Sequence, residues 1–204
     1  MDSSFILASL SPRRRELLEA LGLSFTVIPS GIEENHQNDE TPREHVLRLA
    51  HEKAVFVAGR HPEAWVLGAD TIVVIDGEIL GKPDHGPEAR EMLQRLSGRE
   101  HTVITGFSLV HSGRGVVYAD AVESVVVFRE LDNDEIEWYI AGDEPYDKAG
   151  GYAVQGKAGC FVSEIRGSGT NVIGLPLAEV VTALKQYAVI QLRVENESGH
   201  VVNS

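Results

Sequence analysis

Apolar and polar positions divide this chain into short apolar runs and amphipathic stretches. Residues 5–8 form a continuous apolar run of strand length. The run leads directly into Ser11-Pro12, a helix start: serine caps, and proline suits the first helical position, where its missing N–H has no partner. Leu17, Leu18 and Leu21 recur at helical spacing, and Gly22 closes the segment. Residues 25–28 read as a second strand and 31–41 as a polar loop. Pro42 opens a long helix to about residue 58, with Val46, Leu49, Ala50, Lys53 and Val57 on one stripe. Strands at 65–67 and 71–75 flank a Gly-Ala-Asp interruption, and Asp76-Gly77 signals a hairpin. Residues 87–96 are helical. Two long β segments, 102–111 and 116–128, meet at Ser112-Gly113. A helix at 132–140 precedes a charged, glycine-rich loop at 142–152. A strand at 161–165, a turn at Gly167-Ser168-Gly169 and a last helix at 176–187 follow. Beyond Val194 the tail is polar and is expected to fray.

Strands interspersed with helices, with hairpin connections among them, predict an α/β fold with a mixed sheet and flanking helices. No linker marks a boundary, so residues 1–193 read as one domain and 194–204 as a polar tail. Hydrophobic residues make up 43% and charged residues 24%, as in an ordinary globular protein. No apolar run approaches the length of a membrane span. The net charge of −13 argues against coating nucleic acid or an anionic membrane. Any anionic ligand must therefore find a local positive site against the overall field. The single cysteine, Cys160, excludes an internal disulfide and suits a reducing cytoplasm; it is expected as small buried filler. The eight histidines are scattered and are read as surface or core filler.

One short stretch breaks the pattern. Arg13, Arg14 and Arg15 crowd the first turn of a helix, whose positive end prefers acids. At about 100° per residue the three separate: Arg14 falls near the centre of the leucine stripe, Arg13 at its edge, and Arg15 on the far side, four residues before Glu19. An inward cation at a positive helix end requires an anion. Either a carboxylate elsewhere in the fold supplies it, or the N–H groups, the Ser9 and Ser11 hydroxyls and two guanidinium forks form a phosphate cradle.

Further charges sit in apolar or glycine-rich company: Asp70 between two apolar runs, Lys53 on the apolar stripe of its helix, Lys82 in a Gly-Lys-Pro turn and Lys148 in the glycine-rich loop. Each has an ordinary alternative, such as a turn aspartate, a snorkelling lysine or a solvated turn charge. Glu33 and Glu34 by default form a solvated pair. Taken together, cations for phosphate oxygens and carboxylates for a hard divalent ion suit a metal–polyphosphate substrate. The Walker and GxGxxG patterns are absent, which disfavours a standard NTPase or dinucleotide enzyme.

Six segments in order carry a resemblance. Ser9-Leu10-Ser11-Pro12-Arg13-Arg14 with ELLEALG, RLAHEKA (48–54), LGADTIV (67–73), LGKP (80–83), DEPYDKAGGYAVQG (143–156) and NVIGLPL (171–177) together resemble the Maf family of nucleoside triphosphate pyrophosphatases. The resemblance implies two lobes around a central cleft, similar to inosine triphosphate pyrophosphatases, and a cytoplasmic homodimer. It implies hydrolysis of a triphosphate between its α and β phosphates with a divalent cation, Mg²⁺ or Mn²⁺. Arg13, Thr71 and Gln155 stand where the dTTP/UTP branch carries Arg, Thr and Gln. Many members have GSYYNV where this chain has GSGTNV (167–172), which predicts a looser loop here.

On this footing Ser9, Arg13 and Arg14 would hold the triphosphate, with Lys53, Lys82 and Lys148 adding charge. Asp70 would be the general base, Glu33 the metal ligand with Glu34 the alternative, and Thr71 and Gln155 the readers of the base edge. A nucleotide sensor that binds triphosphates without turnover would use the same cradle, and pyrophosphate release separates the two.

Overall fold

The computed structural model describes residues 4–35, 37 and 40–191 of the protein. The predicted tail at 194–204 lies outside them. A seven-stranded mixed sheet forms the frame. Its strands are β1 (Phe5–Leu7), β2 (Thr26–Val27), β3 (Trp65–Ile75), β4 (Glu78–Leu80), β5 (Glu100–His111), β6 (Val116–Phe128) and β7 (Val162–Arg166). They lie in the order β2-β1-β3-β5-β6-β7, with β4 also on β3. β1 pairs parallel with β2 and β3, and the other pairings are antiparallel. Among the described residues six α-helices flank the sheet: α1 (Pro12–Glu19), α2 (Pro42–Ala58), α3 (Gly86–Leu96), α4 (Asn133–Ile140), α5 (Gly169–Ile173) and α6 (Leu177–Gln186).

The predicted interruption at Gly68-Ala69-Asp70 does not exist: β3 runs unbroken through it. Glycine and aspartate are poor strand formers. Here a continuous ladder with β5, from Val66–Val110 to Val74–Thr102, overrides that preference. The opposite edge of β3 is paired only at its ends. β1 covers residues 65–67 and β4 covers 73–75, so among the described residues no strand pairs with 68–72 on that side.

The pleat sorts the two faces of β3. One face carries α2. Gly68 and Gly106 lie beneath it, where a Cβ would stand 2.3 Å from the Ala50 carbonyl oxygen and 2.5 Å from that of Val46. Only glycine admits the helix backbone this closely. The other face carries two separate apolar cores. Leu7, Leu67 and Phe107 lie under α1 and α6, against Leu17, Leu18, Val180 and Leu184. Val73, Val103 and Phe128 lie under α3 and α4, against Leu93, Leu96, Ile136 and Tyr139. Between them the sheet is polar, at Thr71 and its register partner Thr105. These are the two lobes and the cleft.

Three smaller expectations change. The first helix ends at Glu19 rather than Gly22, and Leu21, past its end, is 39% exposed. Cys160 is exposed rather than buried, its thiol donating to the Lys157 carbonyl at 3.1 Å. The segment at 167–172 is held rather than loose: Ser168 caps α5, and Asn171 is fully buried, donating to Val103 O (3.1 Å) and Ser124 Oγ (3.0 Å).

Candidate active site

A cleft of about 400 Å³ opens where β3 lacks an edge partner. It is lined by Ser9, Arg13, Arg14, Glu34, Lys53, Asp70, Thr71, Lys82, Lys148 and Gln155. The structure therefore brings together the sequence-selected residues, with Glu34 in place of Glu33. Glu33 is exposed and accepts a hydrogen bond from Asn35 Nδ2 at 3.1 Å.

On the α2 face, Asp70 and Lys53 are both buried, and Lys53 Nζ donates to Asp70 Oδ1 at 2.7 Å. The same ammonium lies 2.7 Å from Glu34 Oε1, and Lys82 Nζ stands 4.0 Å from Glu34 Oε2. One cation thus bridges two carboxylates. Burial works against the Glu34 carboxylate, but the hydrogen bond from Lys53 and the charges of Lys53, Lys82 and Arg14 outweigh it and hold its pKa below the ordinary value. The close seat of α2 over Gly68 sets this geometry, since Lys53 follows directly on the turn that the glycine admits.

On the opposite face, Arg14 is buried at the start of α1, as its place on the helical wheel predicts. Its Nε donates to Gly174 O (2.7 Å), Nη1 to Ala69 O (2.9 Å) and Ser9 Oγ (3.2 Å), and Nη2 to Thr71 Oγ1 (2.9 Å). The Ala69 carbonyl belongs to the unpaired edge of β3, so the guanidinium completes that edge. All these partners are neutral, and among the described residues Arg14 has no carboxylate partner. Desolvation lowers its pKa, the more distant Asp70 and Glu34 oppose this, and Arg13 adds to it.

Thr71 is part of the same arrangement. Thr105 Oγ1 donates to Asn171 O at 3.0 Å, so the Thr71 hydroxyl donates to Thr105 (2.9 Å) and accepts from Arg14. Its hydrogen bonds are internal, a longer one to Gly174 O at 3.4 Å included, and Thr71 also lines the cleft. Asn171, Thr105 and Ser124 form the buried support of Arg14 and were not singled out by sequence reasoning, although Asn171 opens one of the quoted segments. Arg15 pairs with Glu19 in solvent at 3.3 Å, as predicted.

The remaining residues come from loops. Lys148 donates to the Glu144 carbonyl at 2.8 Å and pairs with Asp147. The Lys148 contact, with the charge of Arg13 in support, outweighs burial and lowers the Asp147 pKa. Gln155 is exposed at a turn on the cleft rim. Tyr152 walls the cleft, and its hydroxyl lies 2.7 Å from His101 Nε2.

Among the described residues no three His, Cys, Asp or Glu groups converge to hold a metal ion unaided. Asp70 and Glu34 supply two carboxylates at the cleft. That fits a hard divalent ion of the Mg²⁺ type, which takes one or two carboxylates and completes its shell with substrate oxygens and water. Among the described residues no helix is long and apolar enough to cross a membrane.

Fold and site define a two-lobed mixed α/β protein with cations and carboxylates lining one cleft. The chain belongs to the Maf family: the model described as "Maf-like protein" matches residues 4–187. A protein of Syntrophus aciditrophicus named dTTP/UTP pyrophosphatase is 59% identical over 91% of this chain and 90% of its own length. Proteins of the same name from Syntrophotalea carbinolica and Clostridioides difficile are 48% and 47% identical, over 94% and 93% of this chain and 88% and 97% of theirs. A solved HAM1 protein from Coxiella burnetii superposes with a TM-score of 0.46 at 14% identity, covering 90% of this chain and 98% of that one.

Proposed function

We infer that this chain is a nucleoside triphosphate pyrophosphatase that hydrolyses dTTP and UTP, and related modified pyrimidine nucleotides, to the monophosphate and pyrophosphate. The names of its relatives support the activity. The observation that carries the reading is Arg14, a buried guanidinium with only neutral partners, facing the same cleft as the Lys53–Asp70 pair. A buried cation without an internal anion is stabilised when a polyanion docks beside it.

Arg13, Arg14 and the Ser9 hydroxyl receive the phosphates at the N-terminus of α1. Lys82 and Lys148 close on them from the facing loops, Lys148 exchanging its contact with Asp147 for a phosphate oxygen. Asp70 takes a proton from the water that attacks the α–β linkage, and Lys53 holds its carboxylate in place. Glu34 and Asp70 would hold a divalent cation. Bound there, the ion would neutralise charge on the phosphate oxygens. Gln155 reads the pyrimidine edge, since its amide both donates and accepts. Thr71 serves this indirectly by fixing Arg14. The family resemblance supports a homodimer acting in the cytoplasm.

The test is a product assay with UTP, dTTP, ATP and GTP, each with Mg²⁺ or Mn²⁺. UMP and dTMP with equimolar pyrophosphate are expected, with purine nucleotides slower. Diphosphate plus inorganic phosphate overturns the bond assignment, and tight UTP binding without turnover favours the sensor.

A further inference from the structure

Glu144 lies outside the catalytic arrangement, yet it ties together the loop that carries two cleft residues. Its carboxylate accepts from Tyr139 Oη at 3.1 Å, from Lys157 N at 3.0 Å and, at 3.5 Å, from Ala158 N. The first anchor is rigid, because Tyr139 on α4 is only 1% exposed. The other two are the leading N–H groups of a short turn, Lys157–Phe161, whose Ala158 and Phe161 are fully buried. Its main-chain oxygen accepts from Lys148 Nζ at 2.8 Å. One residue thus holds Lys148 by its carbonyl and the turn after Gln155 by its side chain.

Gln155 occupies a central position of a tight turn closed by Gly156 N donating to Ala153 O at 3.1 Å. The Glu144 carboxylate is seated directly against Gly156: a Cβ there would stand 2.0 Å from Oε1, 2.4 Å from Cδ and 2.7 Å from Oε2. A glycine next to the base-reading residue therefore leaves room for a carboxylate that sets where that residue sits.

We propose that Glu144 is a positioning residue for substrate selection: its carboxylate, buttressed by Tyr139 and seated on Gly156, fixes Gln155 at the cleft rim, while its main-chain carbonyl holds Lys148. This rests on the reading of Gln155 as the contact to the pyrimidine edge. Glu144→Gln nearly preserves shape, but its amide nitrogen cannot accept from the turn N–H groups. Gly156→Ala displaces the carboxylate by a second route, without touching its charge.

The test measures kcat and KM for UTP and GTP in the full chain for wild type, Glu144→Gln, Gly156→Ala, the double variant and Gln155→Ala. The UTP-over-GTP ratio of kcat/KM is expected to fall about tenfold in either single variant, through a raised KM for UTP with kcat within about threefold. The double variant is expected to fall no further than the worse single, because both changes break one contact. An unchanged ratio in Glu144→Gln, equal losses for both nucleotides, or additive losses in the double variant overturns the proposal. An unchanged ratio in Gln155→Ala instead removes the base-reading role on which it rests.

Discussion

Asp70 and Thr71 are neighbours in one strand, yet they face two differently built environments. Asp70 points to the α2 side, where charge meets charge: Lys53 lies between its carboxylate and that of Glu34. Thr71 points to the other side, where a buried cation meets only neutral groups: two carbonyls and two hydroxyls surround Arg14. In the first environment each buried charge has an opposite partner within the protein, and removing either member of a buried pair leaves an uncompensated charge. In the second, hydrogen bonds take four of the guanidinium's five N–H groups and leave its positive charge without a counter-ion in hydrogen-bond contact. Arg14 is thus held in place by the protein while its field is directed to whatever enters the cleft. On the proposed function, chemistry belongs to one side of β3 and anion capture to the other, and the alternation of a single strand separates the two side chains.

The sharpest way to break this division is Asp70→Asn. Turnover should fall by roughly two to four powers of ten, the scale of a lost general base. Equilibrium binding of UTP should persist, since the Arg14 side is untouched; near-normal turnover removes Asp70 from the chemistry. Arg14→Lys comes next. It keeps the charge and loses the fork, leaving the carbonyls of Gly174 and Ala69 without their donors. A thermal or urea titration should show a loss of about 2–4 kcal/mol, on the scale of one to two hydrogen bonds from a charged donor. The KM for UTP should rise at least about tenfold with a smaller change in kcat. A wild-type KM would mean that Arg14 supports the fold and nothing more.

Much of this was legible in the chain because helical periodicity is a strong signal. The wheel separated Arg14, Arg13 and Arg15 before any contact was known, and the stripe of α2 placed Lys53 inward. Legibility failed where tertiary pairing overrides local preference. Gly68-Ala69-Asp70 reads as a break, since neither glycine nor aspartate favours a strand; the β5 ladder and the close approach of α2 are invisible from the chain. The GSGTNV stretch reads as a turn because the partners that hold it, Val103 and Ser124, lie far off in sequence. Glu33 and Glu34 are indistinguishable in an aperiodic loop. Only the position of Lys53 in space selects Glu34.

The two sides of β3 should also differ in what acid does to them, and this is the smallest expected effect. Arg14, Thr71 and Thr105 contain nothing that titrates in the acid range, whereas Glu34 does. Its folded pKa is lowered below 4.5, because the Lys53 hydrogen bond and neighbouring charges outweigh burial. A carboxylate with a depressed folded pKa contributes stability fully present above its unfolded pKa and lost as pH falls through the folded one. The side chain is 45% exposed, so solvent screens much of the interaction. Glu34→Gln removes this contribution and leaves every other acid in place. The difference in urea midpoint between wild type and Glu34→Gln should therefore be constant from about pH 6 to pH 8 and shrink steadily below about pH 4.5. A difference that persists unchanged to about pH 3 would show that the carboxylate's charge does not stabilise this side of the strand.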